Sequence, residues 1–425
     1  MSPASQISKS PPTAVLSNST PQFATPQMVL LVVGTLITSL AQGFMLVGVP
    51  WLIVQMPGGT PLLGTASFLI NILIFFSGPL LGAWMDRHNR KTSFVGIRIV
   101  AALGLVISAA LSHHELTLPW AFICTLTLVN FVVTFDQSAR VAYAQSLLDR
   151  SKFRTINTIF ELQNQAGNLV VGASMAMIIT HLSPQIIMWG LMSLFFTSGI
   201  LLALLPGSPP VDRDTHQPLL TALRDAAQYL KTRPRLAVLS VVSFAPYICV
   251  QTGNFLVPVL LAHTLNGTVE DFALFEISFA LGAIGVALSA RVTARFSPFA
   301  LMLISMSAFT LWYLSQIIWP SMLTIIWFAF VAGWGNSTVR IARNSWLMDE
   351  VPAQYMARVL AFLQTIMIAM KIVALGLATW FATSLSPWHA LAIIGVGQVV
   401  ALGVMVIVAY LKYQRRHTAA KATMI

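Results

Sequence analysis

Apolar residues along this chain come in long runs, broken by short polar stretches that hold most of the charge. In a helix, about 20 apolar residues span the roughly 30 Å of a bilayer's hydrocarbon. Twelve such runs are predicted, six near 28–54, 62–85, 93–112, 117–135, 156–180 and 185–205, and six near 236–262, 272–290, 298–318, 320–338, 357–383 and 388–411. Between the sets, Leu219, Leu220, Leu223, Ala226, Ala227 and Leu230 recur at helical spacing, with Arg224, Asp225 and Lys231 off that face. This predicts an amphipathic helix, lying along the membrane surface between two halves or serving as a solvated linker.

The halves carry a short repeat. "RVAYAQSLLD" at 140–149 and "RIARNSWLMD" at 340–349 each follow a fourth apolar run, pairing Arg140 with Arg340 and Asp149 with Asp349. Two six-span halves in the same orientation imply parallel repeats facing each other across a central cavity. The expected fold is an all-α membrane protein of twelve transmembrane helices in two parallel six-helix repeats. Its divisions are a disordered tail (1–27), an N-terminal bundle (28–205), a linker (206–235), a C-terminal bundle (236–411) and a basic tail (412–425).

Charge sets the topology. Arg87, Arg90 and Lys91 lie between runs 2 and 3, Arg140, Arg150, Lys152 and Arg154 between 4 and 5, Arg291 and Arg295 between 8 and 9, and Arg340 and Arg343 between 10 and 11. The odd-numbered connections, such as "QMPGGTP" and "HTLNGTVED", contain no Lys or Arg. By the positive-inside rule both termini are expected in the cytoplasm. Composition agrees, with 56% hydrophobic residues, 9% charged and a mean hydropathy of +0.78, against about a quarter charged in a soluble domain. The pI near 10.1 therefore reflects membrane topology, and no nucleic-acid partner is expected. The first 27 residues lack the apolar core of a signal peptide. Cys124 and Cys249 both fall in apolar runs and read as packing residues.

Gly82, Asp86, Arg87, Arg90 and Lys91 in "GAWMDRHNRK" resemble the G-x-x-x-D-R-x-G-R-K signature between helices 2 and 3 of the major facilitator superfamily. With twelve spans, a long central loop and a paired repeat, the resemblance covers about 28–411. It implies a conformational latch at Gly82, Asp86, Arg87 and Arg90, in which the acid pairs with bases on a facing helix and releases them when the halves rock. Asn89 stands where the family has glycine, and Asn tolerates a left-handed backbone. "FDQSARVAYAQSLLDRSKFRTIN" is similar to the helix 4–5 connection of the enterobactin-exporter-like branch, which includes siderophore and drug exporters. Where that branch carries G-P-x-x-x-G, "GNLVVG" keeps Gly167 and Gly172 with Asn168 in place of proline.

Polar residues inside the spans supply the candidate cavity. Glu161, Asn164, Gln165 and Asn168 share one face of span 5. Thr35, Thr38, Ser39 and Gln42 repeat the spacing on span 1, where the small hydroxyls read as helix contacts and Gln42 as cavity lining. Tyr247, Gln251 and Asn254 mark span 7. Glu276 on span 8 and Lys371 on span 11 are ionisable groups within the hydrocarbon, and are expected to pair as a structural ion pair or as a shared proton and substrate site. Arg98 is expected to snorkel to the cytoplasmic surface. His113, His114 and Glu115 share an outer loop, but neighbouring loop histidines do not make a metal-ligand pattern, and no metal or cofactor is expected.

The expected function is a secondary transporter of the bacterial inner membrane, exporting a siderophore or drug-like amphipathic molecule by proton-coupled alternating access. The expected partners are the small-molecule substrate, protons and the bilayer, and the chain is expected to act as a monomer. Import of a nutrient or lysophospholipid, and a non-transporting sensor, stand as alternatives. No phosphate loop or nucleophile elbow points to an enzyme.

Overall fold

The computed structural model describes residues 25–87, 89–147, 153–207 and 219–422, and among them every regular element is helical. The first half comprises α1 (Thr25–Val54), α2 (Gly59–Arg87), α3 (Arg90–Leu111), α4 (Leu118–Leu147), α5 (Phe153–His181) and α6 (Pro184–Ala203). A linker helix, α7 (Leu219–Lys231), leads to α8 (Pro234–Val242) and α9 (Ala245–Val259), which together make the seventh span. Then follow α10 (Val269–Leu288), the one-turn α11 (Ala290–Thr293), α12 (Pro298–Ile318), α13 (Ala329–Glu350), α14 (Ala353–Ser384) and α15 (Pro387–Ala422). Among the described residues, ten spans are both long and apolar enough to cross a membrane. The other two of the expected twelve, α5 and α13, have the length at 29 and 22 residues but are more polar.

Local chemistry fixes where the helices start. Ser183 and Ser297 each accept a backbone N–H of the next turn and precede a proline at the first helical position, where the missing N–H costs nothing. Thr268 and Asp271 form a capping box at α10. Asn89 caps α3, accepting from Lys91 N (2.9 Å) and Thr92 N (3.4 Å). Its φ of −57° corrects the expectation of a left-handed turn residue: Asn serves here through its side-chain oxygen. Pro258 lies within α9, and a π turn over Leu260–Thr264 follows it.

Two expected boundaries change. The fourth and tenth apolar runs end at 135 and 338, whereas α4 continues to Leu147 and α13 to Glu350. The last turns of both helices are polar, so the hydrophobic pattern stops before the backbone does. Arg140, Arg340 and Arg343 therefore lie within helices and not in connections. At the C-terminal end, α15 continues to Ala422 through the segment expected as a tail. Residues 1–24 of the expected N-terminal tail and Asp149 of the repeat lie outside the described residues.

In the first half α3 packs on α4 and α6, and α1 on α5 and α6. The second half repeats this around α12, which packs on α13 and α15. Across the halves α5 meets α10, α2 meets α14 and α1 meets α9. The ends of the bundle differ. At the basic end, carrying Arg90 and Lys91, the buried apolar side chains form one cluster per half, around Leu31, Phe94 and Tyr143 and around Met302, Trp346 and Met405. Toward the opposite, far end a single cluster spans both halves. There Trp51 stacks on Phe272 at 5.3 Å, His263 Nε2 approaches Val54 O at 3.1 Å, and Gly64 sits against Thr379. The halves are thus joined at the far end.

The linker helix is docked on the second half, against α14 and α8. Tyr229 stacks on Tyr355 at 4.6 Å, and Asp225 pairs with Arg358 at 3.0 Å. Its apolar face therefore packs on protein, and not on the membrane surface or in solvent as its amphipathic pattern predicts.

Candidate functional site

Two adjoining cavities, one lined by the first half and one mainly by the second, share Leu46 and Asn168. The first, of 160 Å³, is lined by Ser39, Gln42 and Gly43 of α1, Val133, Asp136 and Arg140 of α4, and Asn164 of α5. The second, of 140 Å³, lies mainly in the other half. Its polar lining is Gln251 and Asn254 of α9, Glu276 of α10 and Gln316 of α12, and its walls are Phe275, Phe279, Phe309, Trp312 and Tyr313.

Helix periodicity gathers these groups. Phe275, Glu276 and Phe279 share one face of α10, while Trp312 and Gln316 are one turn apart on α12. The aromatic rings support one another, with Phe309 edge-on to Trp312 at 5.5 Å and Phe275 6.4 Å from Phe279. Trp312 Nε1, Gln316 Nε2 and, in the first cavity, Gln42 Nε2 are buried donors with no partner among the described residues. Each unmet donor costs about 1–3 kcal/mol, which a ligand bearing acceptor oxygens would recover. Asn254 Nδ2 donates to Gln251 Oε1 at 3.4 Å.

The expected cavity residues divide. Gln42, Asn164, Asn168, Gln251 and Glu276 line the two cavities, and Asn168 belongs to both. Gln165, Tyr247 and Lys371 line neither. Glu276 and Lys371 form no ion pair: the pairs between described side chains are Arg98–Asp136 and Arg358–Asp225. The expected pairing rested on depth along the helices, and depth does not fix the direction in which a side chain points. The side chain of Glu161 lies outside the described residues, as do those of Asp86 and Arg87 at the end of α2, the helix that also carries Gly82. Of the expected latch, Arg90 opens α3 and is half-buried. The Lys91 ammonium donates to Leu205 O beyond the end of α6.

Four residues have roles that the sequence pattern does not single out: Arg98 and Arg140 read there only as cytoplasmic-side charges, and Asp136 and Gln163 carry no reading. Arg98, expected to snorkel, is fully buried. Its guanidinium meets the Asp136 carboxylate at 2.6 Å and donates from Nε to Thr38 Oγ1 at 3.1 Å and Ser198 Oγ at 3.2 Å. Asp136 and Arg140, one turn apart on α4, both line the first cavity, and the Arg140 guanidinium lies 4.6 Å above the Phe160 ring. The signal was the i, i+4 acid and base in "DQSAR", obscured by ending the span at 135. On α5, Gln163 makes the contact with α1, accepting from Thr35 Oγ1 at 2.9 Å and donating to Val32 O at 2.7 Å. A methyl group on Gly167 would fall 2.8 Å from Ser39 O, and one on Gly172 would fall 3.0 Å from Ile277. These two glycines therefore seat α5 against α1 on one side and α10 on the other. In the 113–115 loop, His113 bonds the Gln185 amide at 2.9 Å.

Residues 31–366 match the family model described as the Major Facilitator Superfamily. A search of curated proteins finds no match. Solved structures similar to this chain include the nucleoside transporter NupG, with 15% identity, a TM-score of 0.66, and 91% of this chain and 99% of that one covered. A D-xylose–proton symporter shows 14% identity and a TM-score of 0.63, covering 89% and 97%. A bacterial homologue of the iron transporter ferroportin, in an inward-facing state, shows 13% identity and a TM-score of 0.69, covering 91% and 99%. At these identities the likeness is one of fold.

Proposed function

The chain belongs to the Major Facilitator Superfamily and is a multi-pass membrane transporter, not an enzyme, and on that premise we propose that it exports an amphipathic small molecule across the bacterial inner membrane by proton-coupled alternating access. The observation that carries the reading is Glu276, among the described residues the one charged group lining the second cavity, set among five aromatic side chains. A carboxylate within an aromatic wall favours an organic cation, through charge and through the negative faces of the rings. Of the two expected substrate classes, this supports the drug-like amphiphile over an anionic siderophore. Trp312 Nε1 and Gln316 Nε2 add donors for acceptor oxygens on the same molecule.

Coupling follows from competition. A carboxylate that holds either a proton or a cationic substrate exchanges one for the other, which is antiport once the halves alternate. The far-end cluster shared by both halves and the separate clusters at the basic end support a state closed at the far end. With the basic end in the cytoplasm by the positive-inside rule, this is the inward-facing state, ready to load substrate for export.

The test is proton movement in proteoliposomes of the full chain, with tetraphenylphosphonium and ethidium beside a catecholate and a hydroxamate siderophore, for the native protein and Glu276→Gln. Proton movement driven by the cations and lost in Glu276→Gln is the expected result. Movement driven by the siderophores alone would reverse the substrate class. Cation binding without proton movement would favour the sensor.

A further inference from the structure

A third cavity lies away from the midline, on the flank of the second half. It is a 590 Å³ groove between α8–α9, α14 and α15, within the size range of small-molecule sites. Its rim residues Val373, Leu377 and Val400 are 62%, 43% and 59% exposed, so it opens sideways. Gly397 in its lining is about 15 Å along α15 from Pro387, half of the roughly 30 Å hydrocarbon thickness. The groove therefore faces the acyl layer of the bilayer.

Its chemistry admits hydrocarbon. Gln398 is the one amide among the described lining residues, and it is already engaged: its Nε2 donates to Thr310 Oγ1 at 2.8 Å, and the Cys249 thiol donates to its Oε1 at 3.7 Å. Thr310 in turn donates to Met306 O. Gln398 is also only 1% exposed, so the lining offers a headgroup almost no polar surface. An unfilled apolar groove would cost its lining atoms their dispersion contacts, and an alkyl chain restores them without disturbing a hydrogen bond.

The groove also adjoins the transport pathway, since Cys249 lines both it and the second cavity. We propose that this groove is a binding site for a single phospholipid acyl chain, which backs the second cavity at Cys249 from the bilayer side. The site is independent of which substrate the transporter carries.

The test uses the full chain in nanodiscs of phosphatidylcholine bearing a photoactivatable diazirine in one acyl chain. Crosslinks are expected to concentrate on residues 366–377 and 393–404, and to fall about tenfold in Gly397→Trp. A side chain at Gly397 has room to enter the groove, because a Cβ there meets nothing within 4 Å. Crosslinks to Leu311, a lipid-facing residue 69% exposed on α12, serve as the internal reference and should not change. If Gly397→Trp does not fold, Val400→Trp fills the groove from its rim. Labelling spread evenly between the groove and Leu311, or unchanged by a folded filling variant, would overturn the site and leave only the ordinary lipid annulus.

Discussion

Arg98 and Asp136 meet at 2.6 Å in the interior of the first half, their side chains 0% and 3% exposed. The guanidinium also bonds Thr38 of α1, Ser198 of α6 and Phe94 O of its own helix. One cation on α3 therefore ties four helices together, and its position depends on the acid that balances it. Removing one partner of such a buried pair costs about 3–5 kcal/mol, because the other charge is left uncompensated. Asp136→Asn is expected to lower the melting temperature of the detergent-solubilised protein sharply, and Arg98→Met with Asp136→Leu to recover most of the loss. Equal melting of the single and double variants would show that the pair is not coupled.

Glycine sets how closely α10 and α13 approach. A Cβ on Gly282 would lie 1.9 Å from Phe330 O, and one on Gly333 would lie 1.9 Å from Phe279 O, whereas one on Gly285 meets nothing within 4 Å. Small residues at such crossings let backbones touch where no hydrophobic force separates helix from lipid. Gly282→Ala and Gly333→Ala should each destabilise by about 1–3 kcal/mol or more through overpacking. Gly285→Ala, one turn along the same helix, should be neutral. Comparable melting of Gly285→Ala and Gly282→Ala would contradict this account of the contact.

The linker is held by its aromatic contact more than by its charges. Asp225 and Arg358 are 36% and 31% exposed, and a pair so open to solvent contributes about 0–1 kcal/mol. Tyr229, by contrast, is buried between the Tyr355 ring at 4.6 Å and the Arg233 guanidinium at 4.1 Å. Asp225→Ala should leave the linker as resistant to limited proteolysis as the native chain. Tyr229→Ala should undock α7 at a cost of about 2 kcal/mol and expose it to cleavage. Equal protection in both variants would place the docking energy elsewhere on the helix.

Hydropathy made the spans legible because a bilayer imposes length and apolarity on every segment that crosses it. It failed where helices turn polar before they end: Asp136 and Arg140 stand one turn apart on α4, yet fell beyond the run that defined the span. Helical spacing placed Asn164 and Asn168 on a common face, and the structure brings both to the first cavity. Spacing on one helix says nothing of the facing helix, so the Glu276–Lys371 pairing had no such support. The inward course of Arg98 escapes the hydropathy pattern for a related reason. An arginine two turns inside a span can reach outward or inward, and its acid lies 38 positions on, a contact that only the packing of α3 on α4 creates.

Glu276 sets the pH dependence expected of cation binding. Below the pH at which its carboxyl ionises, the second cavity holds no negative charge among its described lining, and affinity for an organic cation is low. Above it, affinity rises as the proton leaves, by up to about tenfold per pH unit for a single exchanged proton. In Glu276→Gln the dependence should vanish and affinity should stay near the low-pH level of the native protein. Lys371→Met should keep the native profile, since Lys371 lines neither cavity and forms no ion pair with Glu276. Tetraphenylphosphonium titrations by calorimetry across the neutral range check both variants. A pH dependence that survives in Glu276→Gln would move the proton to Asp136, the other described acid lining a cavity. Its attachment to Arg98 would then join proton release to the packing of four helices.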